Sequence, residues 1–176
     1  MINMSNAPDL SGFTRDEICD ALDEVRQPVS IAIYGSKNEF NIGGMIRTAH
    51  NFLVRDIHLV DVEWFYEKGA LSTLKYEKRH LKRWSTLDSF IHGMKGRNLV
   101  SFERREHLDC YDIRSYRYPD NPVLFFGSEK TGVPDQILDA SHSIVTIPML
   151  GLNNDHNVTV SSGIALYDWY QKNSRA

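Results

Sequence analysis

Cysteine is scarce in this sequence: Cys19 and Cys110 are the only two among its 176 residues. They lie far apart and form no CxxC pair, whereas zinc sites and disulfide frameworks use closely spaced or numerous cysteines. This scarcity argues against a structural metal and against a disulfide-stapled secreted domain. We expect two ordinary thiols in a reducing environment and no bound metal.

Long apolar runs are also missing. No stretch of the chain approaches the roughly 18 to 20 apolar residues that a helix needs to cross a bilayer. The first residues do not combine a basic start with an apolar segment, as a secretory signal does. The sequence therefore predicts a soluble, cytoplasmic protein that has no membrane partner.

Positive charge is not in excess. The chain has 20 Lys and Arg against 23 Asp and Glu, which gives a net charge of -3. The acidic surplus is local, because six acids lie within the first 26 residues: Asp9, Asp16, Glu17, Asp20, Asp23 and Glu24. Bulk charge therefore neither indicates a nucleic-acid-binding protein nor excludes one.

Short segments rich in Val, Ile, Leu and Phe alternate with helical patterns along the chain. Strands are predicted over residues 29–34, 56–61, 97–103, 123–127 and 143–148. Helices are predicted over 14–26 with a Thr14–Glu17 capping box, over 41–53 with Asn41 as N-cap, after Ser85, from Pro134, and from Asn157 to Lys172. Residues 62–85 predict short helical pieces and irregular chain. This alternation predicts an α/β fold with a mainly parallel sheet and helices on both faces.

Three loops rich in Gly, Asn and short polar residues follow predicted strands, over residues 35–44, 127–134 and 148–157. Ligands of parallel sheets bind beyond the carboxyl ends of the strands, although turn chemistry alone favours the same residues. Gly127 and Gly132 have the spacing of a phosphate-binding loop, but Val133 and Pro134 stand where its Lys and Ser or Thr belong. No GxGxxG follows the first strand. A nucleoside ligand would need another loop geometry.

Three segments resemble the ordered motifs of the TrmH-like (SpoU) RNA methyltransferases of the SPOUT class. They are "NIGGMIRTAHNF" at 41–52, "FFGSEKTGVP" at 125–134 and "IPMLGLNNDHNVTVSSGIAL" at 147–166. The resemblance implies a methyltransferase domain over residues 29–176, preceded by an extension over 1–28 that carries one amphipathic helix. It also implies a C-terminal deep trefoil knot, a homodimer, S-adenosylmethionine as cofactor, and methylation of a ribose 2′-hydroxyl of tRNA or rRNA.

The same resemblance suggests site residues. Arg47 matches the family's catalytic arginine, although an exposed helical arginine can also be a plain surface residue. Asn41 would cap its helix or orient the substrate and Arg47. Glu129 would pair with Arg47 or with backbone donors, and Asn157 would cap the last helix. The cofactor would contact Phe125, Phe126, Gly127, Ser128, Glu129, Gly132, Ile147, Met149, Gly151, His156 and Asn157.

Two further regions have both a functional and a plain interpretation. Residues 68–84 contain the basic side chains Lys75, Lys78, Arg79, Lys82 and Arg83, which form either an RNA-binding surface or a solvated face. Arg104, Arg105, Arg114 and Arg117 would extend that surface.

The last helix is apolar on most sides, which suits a dimer interface or a core helix. Gly43 and Gly44 indicate close approach of the backbone to a neighbouring segment or ligand.

The third motif departs from the family, which usually has Ser-Leu-Asn where this chain has Asp155, His156 and Asn157. Asp155 could be a helix cap or a proton acceptor in the active site. Three functions therefore remain open from the sequence. They are ribose 2′-O-methylation, methylation of a base nitrogen by the same class of enzyme, and RNA or cofactor binding without catalysis.

Overall fold

A computed structural model of the chain describes residues 12–35, 38–63, 67–70, 72–105, 107–152 and 155–173. The strands in these residues are β1 (Ser30–Tyr34), β2 (Ile57–Val60), β3 (Leu81–Trp84), β4 (Leu99–Phe102), β5 (Tyr111–Asp112), β6 (Val123–Phe126) and β7 (Ser143–Thr146). The helices are α1 (Arg15–Glu24), α2 (Glu39–Asn51), α3 (Leu74–Glu77), α4 (Leu87–Gly93), α5 (Asp135–Ala140) and α6 (Val158–Asn173), with a 3-10 turn at Glu67–Ala70.

The strands form one sheet in the order β3-β2-β1-β6-β4-β7-β5, and every pairing is parallel. In the register of the sheet, Ile31 of β1 lies between Ile57 of β2 and Leu124 of β6. All residues of β2, β4 and β6 are buried, as is typical of parallel strands with both faces covered. The predicted mainly parallel sheet is confirmed.

Helices cover both faces of the sheet, as predicted. One hydrophobic core contains Met45 of α2 and Trp169 of α6, together with Ile31 and Ile33 of β1. The other contains Phe90 of α4 and Ile137 of α5, together with Ala32 of β1. Successive residues of a strand point to opposite faces, so a single strand contributes to both cores.

The sequence prediction missed two edge strands. Lys82 and Arg83 of β3 are exposed, and β3 pairs only with β2, so its four residues lack the apolar pattern of a buried strand. The other edge strand, β5, has only two residues. The 3-10 turn and α3 confirm the short helical pieces predicted between residues 62 and 85.

The predicted start of α1 is confirmed, whereas three other helix starts differ from the prediction. The capping box of α1 is confirmed, because the backbone N–H of Thr14 donates to Oε2 of Glu17 at 2.8 Å. The prediction that Ser85 caps α4 was wrong, since the hydroxyl oxygen of Thr86 accepts from the N–H of Ser89 at 3.1 Å. Pro134 is the N-cap of α5 and not a first-turn residue.

The predicted cap of α2 was also wrong, with a consequence for the site. Oδ1 of Asn38 accepts from the N–H of Phe40 at 3.2 Å, so α2 begins two residues before Asn41. Asn38 offers the same side-chain acceptor as Asn41 and stands earlier in the chain. The side chain of Asn41 is therefore available for contacts outside its own helix.

The glycine pair of α2 allows two close contacts. A Cβ atom on Gly43 would lie 2.5 Å from the backbone carbon of Gly69, and one on Gly44 would lie 2.9 Å from Cγ2 of Thr159 in α6. No side chain fits at either distance, which confirms the close approach predicted from the sequence. Both contacts are with other segments of the chain: Gly43 lies against the 3-10 turn, and Gly44 brings the start of α2 against the start of α6.

A buried ion pair joins α1 to the rest of the domain. The guanidinium of Arg26 donates to both carboxylate oxygens of Glu77, at 3.0 and 3.2 Å, and both side chains are almost fully buried. His50 lies 2.7 Å from the same carboxylate. Burial acts to raise the pKa of Glu77, but the hydrogen bonds with His50 and Arg26 outweigh it and hold that pKa below its ordinary value.

No described helix is both long and apolar enough to cross a bilayer.

Candidate active site

A cavity of about 700 Å³ lies at the carboxyl edge of the sheet. Its walls are the segments that follow β4, β6 and β7, together with the residues that lead into α6. The lining residues are Phe102, Glu103, Arg104, Arg105, Gly127, Ser128, Glu129, Thr131, Gly132, Val145, Thr146, Ile147, Met149, Asp155, His156, Asn157, Val158 and Ser161. Most of the side chains predicted to bind a cofactor therefore share one cavity.

Three predicted cofactor contacts lie outside this lining. Phe125 and Phe126 belong to β6, and their side chains are buried in the two opposite hydrophobic cores. Gly151 has open space on the side where a Cβ atom would stand. Both phenylalanines are needed by the fold itself, so their side chains are not available to a ligand in this cavity.

A chain of hydrogen bonds connects the three motifs. Nδ2 of Asn41 donates to Oε1 of Glu129 at 2.5 Å, and Oδ1 of Asn41 accepts from Nδ2 of Asn157 at 3.1 Å. Asn41 is buried, whereas Glu129 and Asn157 line the cavity. The amide of Asn41 thus uses its donor toward one motif and its acceptor toward another.

Asn157 also caps α6, as the sequence predicted. Its Oδ1 accepts from the N–H of Thr159 at 2.9 Å and from that of Val160 at 3.4 Å. Because the oxygen caps the helix, the nitrogen of the same amide is directed to Asn41. The capping hydrogen bonds and the hydrogen bond to Asn41 together fix the orientation of the Asn157 side chain.

Glu103 is a cavity residue that the sequence analysis missed. Its Oε2 accepts from the N–H of Val133 at 2.6 Å, and its Oε1 accepts from the N–H of Arg104 at 2.8 Å. The carboxylate thereby connects the end of β4 to the loop that follows β6. Its position just after a strand was the available signal, but the neighbouring arginines suggested only a basic surface.

The loop after β6 folds back on itself. Ser128 and Gly132 exchange backbone hydrogen bonds of 3.2 and 2.9 Å, and Gly132 has a φ of +66°, a region that glycine adopts easily. A Cβ atom on Gly127 would lie 2.1 Å from the backbone carbon of Gly132. Gly127 is therefore required by the loop's own backbone.

Arg47 lies apart from the cavity. It is exposed on α2 and is not among the lining residues. Within the described part of the chain, its side chain has neither a hydrogen bond nor an ion pair. Glu129 accepts from Asn41, and the predicted pairing with Arg47 is not seen, since Arg47 has no hydrogen bond or ion pair in the described residues.

The two residues of the third motif that differ from the family pattern face the cavity. Asp155 and His156 both line it, and Asp155 is exposed. Asp155 makes no hydrogen bond to the first turn of α6 in the described residues, where Asn157 accepts from the free N–H groups. The interpretation of Asp155 as a helix cap is therefore wrong.

The predicted RNA-binding side chains lie away from the cavity. Lys75, Lys78 and Arg79 precede β3 and so stand near the amino ends of the strands, whereas the cavity lies at their carboxyl ends. Arg79 contacts three acids of the N-terminal segment, with Asp20 at 2.5 Å. Lys82 lies 3.9 Å from Asp56, and Arg83 is exposed on β3.

Of the arginines expected to extend the basic surface, two line the cavity. Arg105 bonds Asp135 and the carbonyl oxygen of Val133, both at 2.5 Å. Arg104 is exposed at the rim.

The described residues contain no group of three side chains placed to hold a metal ion.

Comparison with known proteins agrees with this arrangement. A family model described as "SpoU rRNA Methylase family" matches residues 28–167. The chain is 22% identical over 165 residues to a tRNA (guanosine(18)-2'-O)-methyltransferase of Escherichia coli K12, covering 90% of this chain and 70% of that protein. It is 45% identical over 158 residues to a 23S rRNA (adenosine(1067)-2'-O)-methyltransferase of Streptomyces azureus, covering 83% of this chain and 55% of that protein.

The fold has solved relatives. An AdoMet-bound rRNA methyltransferase from Sinorhizobium meliloti superposes with a TM-score of 0.71 at 20% identity, covering 88% of this chain and 61% of that one. The family match spans all three motifs; the second and third line one cavity of a parallel α/β sheet, and Asn41 of the first is hydrogen-bonded to both of them. The chain belongs to the SpoU rRNA methylase family, as the sequence resemblance indicated.

Proposed function

We propose that this chain is an RNA methyltransferase that moves a methyl group from S-adenosylmethionine to a ribose 2′-hydroxyl of tRNA or rRNA. The observation that carries the proposal is the Glu129–Asn41–Asn157 hydrogen-bond chain beside a cavity of about 700 Å³. Membership of the SpoU family and the names of the relatives, which act on tRNA and 23S rRNA at the 2′-oxygen, support it.

The cavity suits S-adenosylmethionine chemically. Ile147, Met149 and Val158 offer apolar contacts for a nucleobase, and the backbone of the loop after β6 offers hydrogen-bonding groups. Glu129 and Asp155 supply carboxylates to a ligand that carries a sulfonium and an ammonium group. When bound, the cofactor supplies an electrophilic methyl group.

The protein's own residues orient the acceptor hydroxyl and either accept its proton or stabilise the negative charge that develops on its oxygen. A ribose hydroxyl is a poor nucleophile near neutral pH, so its proton has to be accepted or its developing negative charge stabilised. Arg47 is suited to the second task, because its guanidinium stays charged and donates in a rigid fork toward phosphate and oxygen. Asn41 holds Glu129 in place through the 2.5 Å hydrogen bond.

The exposed position of Arg47 leads us to propose a homodimer in which this residue completes the cavity of the second subunit. Val160, Ile164 and Tyr167 are 51, 36 and 56% exposed on one side of α6. Helix α2, which carries Arg47, packs beside α6 through Gly44 and Thr159. An apolar face next to an unpaired arginine suits a two-fold interface.

The remaining features of the proposal follow from family membership. We propose that the C-terminal loops form a deep trefoil knot, as the family resemblance implies. The division into an extension over residues 1–28 and a methyltransferase domain over 29–176 is supported by the family match, which begins at residue 28. A cytoplasmic location and an RNA surface formed by Lys75, Lys78, Arg79, Lys82 and Arg83 belong to the same proposal.

A second candidate function is favoured by Asp155. Its carboxylate lines the cavity and is exposed, and a carboxylate can accept the proton of a base nitrogen. Methylation of unmodified total tRNA and rRNA with labelled S-adenosylmethionine, followed by digestion to nucleosides, tests both candidates. A label on ribose supports the proposal, and a label on a base supports the second candidate. Absence of label from every RNA would contradict both and favour a binding protein.

Cofactor binding should depend on the folded loop after β6. Gly127→Ala places a Cβ atom 2.1 Å from the backbone carbon of Gly132, so the loop has to open. We expect loss of S-adenosylmethionine binding in calorimetry, together with a loss of stability of about 1–3 kcal/mol in urea unfolding. Gly151→Ala is the matched control, since its Cβ atom meets nothing within 4 Å. Equal behaviour of the two variants would contradict this account of the loop.

Arg47→Ala should lower methyl transfer without weakening cofactor binding. Loss of one aligned charge-stabilising donor typically costs about 10²-fold or more in rate. Single-turnover transfer and calorimetry measure the two quantities separately. Arg55→Ala, which removes another exposed arginine just before β2, should change neither. A parallel loss of cofactor affinity in Arg47→Ala would assign Arg47 a structural role.

The homodimer should be visible in solution. Light scattering should report about twice the chain mass of 20.2 kDa. Ile164→Asp introduces a charge into the exposed face of α6, and we expect it to yield monomers that bind S-adenosylmethionine but transfer methyl poorly. A wild-type monomer at micromolar concentration that transfers methyl normally would contradict the completion of the cavity by Arg47 of a second subunit.

Asp155 should act as a proton acceptor. Asp155→Asn keeps the shape of the side chain but removes its basicity, and general-base catalysis contributes about 10² to 10⁴-fold, so the single-turnover rate should fall at least about tenfold. Asp155→Ser restores the family's usual hydroxyl and should retain more activity than Asp155→Asn if the product is a ribose ether. Wild-type rates in both variants at every pH would exclude the role.

A further inference from the structure

A second cavity of about 670 Å³ adjoins the first at the carboxyl edge of the sheet. Tyr34 and Gly35 at the end of β1, Asp61 after β2, and Asn38 and Phe40 at the start of α2 form one side of it. Its other side is the loop over residues 128–131. Ser128, Glu129 and Thr131 line both cavities, so this loop is the wall between them.

Methyl transfer needs two cavities that meet. The reaction is an in-line displacement, in which the acceptor oxygen approaches carbon from the side opposite to the departing sulfur. The acceptor nucleotide therefore requires a cavity of its own that opens toward the methyl group. The Asn41–Glu129 hydrogen bond lies at the shared wall, since Glu129 belongs to both linings. This step rests on the proposed function.

The second cavity offers aromatic surface. Phe40 lies in the first turn of α2, lines this cavity and is 68% exposed, so a ligand can reach its ring. The ring of Tyr34 is held by stacking on the buried Phe125, with 6.1 Å between ring centroids. Stacking on aromatic side chains is the general way in which proteins hold unpaired bases, and it is worth about 1–3 kcal/mol per base.

Besides Glu129 of the shared wall, the cavity carries one further charge of each sign, from Asp61 and Lys130. Asp61 has a φ of +52°, in the left-handed region that aspartate and asparagine tolerate better than most residues. An ionised carboxylate only accepts hydrogen bonds, so it favours a base edge with an amino group. Lys130 donates only, which suits a phosphate or a base carbonyl.

We propose that this second cavity binds the base of the acceptor nucleotide, stacked on Phe40, with Asp61 accepting a hydrogen bond from an exocyclic amino group. The acceptor is therefore a guanosine, an adenosine or a cytidine in an unpaired segment of RNA. A uridine lacks the amino group, and its single N3–H lies between two carbonyl oxygens that the carboxylate would repel.

Ultraviolet cross-linking tests the stacking independently of catalysis. Wild-type protein irradiated with unmodified total tRNA and rRNA should yield RNA adducts on the tryptic peptide over residues 38–47, which contains Phe40. Phe40→Ala should lose these adducts and raise the KM for RNA about tenfold or more with kcat within about twofold, whereas Phe40→Tyr should retain both properties. Phe13→Ala, which removes another exposed ring before α1, should behave as wild type.

The outcomes separate this inference from the proposed function. Unchanged adducts and KM in Phe40→Ala, with methyl transfer intact, would overturn the base site. Dissociation of a dimer by Phe40→Ala would instead assign the cavity to a subunit interface and would also overturn it. Adducts that depend on Phe40 in a protein that methylates no RNA would support the base site and contradict the proposed function.

The base preference has its own readout. Asp61→Asn keeps the tolerance for the left-handed backbone but removes the charge, and we expect the KM for RNA to rise about tenfold, the size of one lost charged hydrogen bond. The labelled nucleoside from wild-type protein should carry an amino group. Labelled uridine, or an unchanged KM in Asp61→Asn, would overturn the role of Asp61.

Discussion

The parallel direction of every strand is the constraint on which the rest of this structure depends. Because all pairings in the sheet are parallel, the segments that leave β1, β2, β4, β6 and β7 emerge at one edge. Both cavities are built from those segments, and they share the loop after β6 as a wall. A buried parallel sheet can therefore gather residues from distant parts of the chain at one edge, beyond the ends of its strands.

Within that edge, the amide of Asn41 acts as a donor and as an acceptor at the same time. It donates to Glu129 and accepts from Asn157, and it is buried while doing so. An aspartate in its place would lose the donor, and an apolar residue would leave a carboxylate and an amide without partners. The loops after β6 and β7 are thus held relative to α2 by hydrogen bonds that depend on one orientation of one amide.

The charged side chains of this protein form local pairs, which its net charge does not reveal. Three acids of the N-terminal segment, Asp16, Asp20 and Asp23, are paired with Arg26, Arg79 and His80. The buried Arg26–Glu77 pair attaches α1 near the amino ends of β2 and β3. Much of the positive charge near β3 is therefore balanced by carboxylates from the same chain. At the opposite edge, Arg104 and Lys130 lie beside Glu103, Glu129 and Asp61, so recognition there depends on the placement of single groups.

The parallel α/β class, the helices on both faces, the glycine contacts of α2 and the cap by Asn157 followed from the sequence, because each depends on residue types that recur at short spacing. The family was also recognisable from three local motifs. Other features depended on contacts between residues far apart in the chain. Asn41 is separated from Glu129 by 88 positions and from Asn157 by 116, so no local pattern shows that these amides meet or that Asn38 caps α2 in place of Asn41.

The same reason explains the other differences. β3 was missed because pairing with β2, and not its own polar residues, makes it a strand. Glu103 was missed because its partner is the backbone of Val133, which a sequence does not display. The sequence by itself determined which chemical groups the protein has and in what order. The tertiary structure decided that Arg47 lies outside the cavity, that Gly127 serves its own loop, and that Asp155 faces the cavity instead of capping α6, because these depend on where the folded chain leaves space.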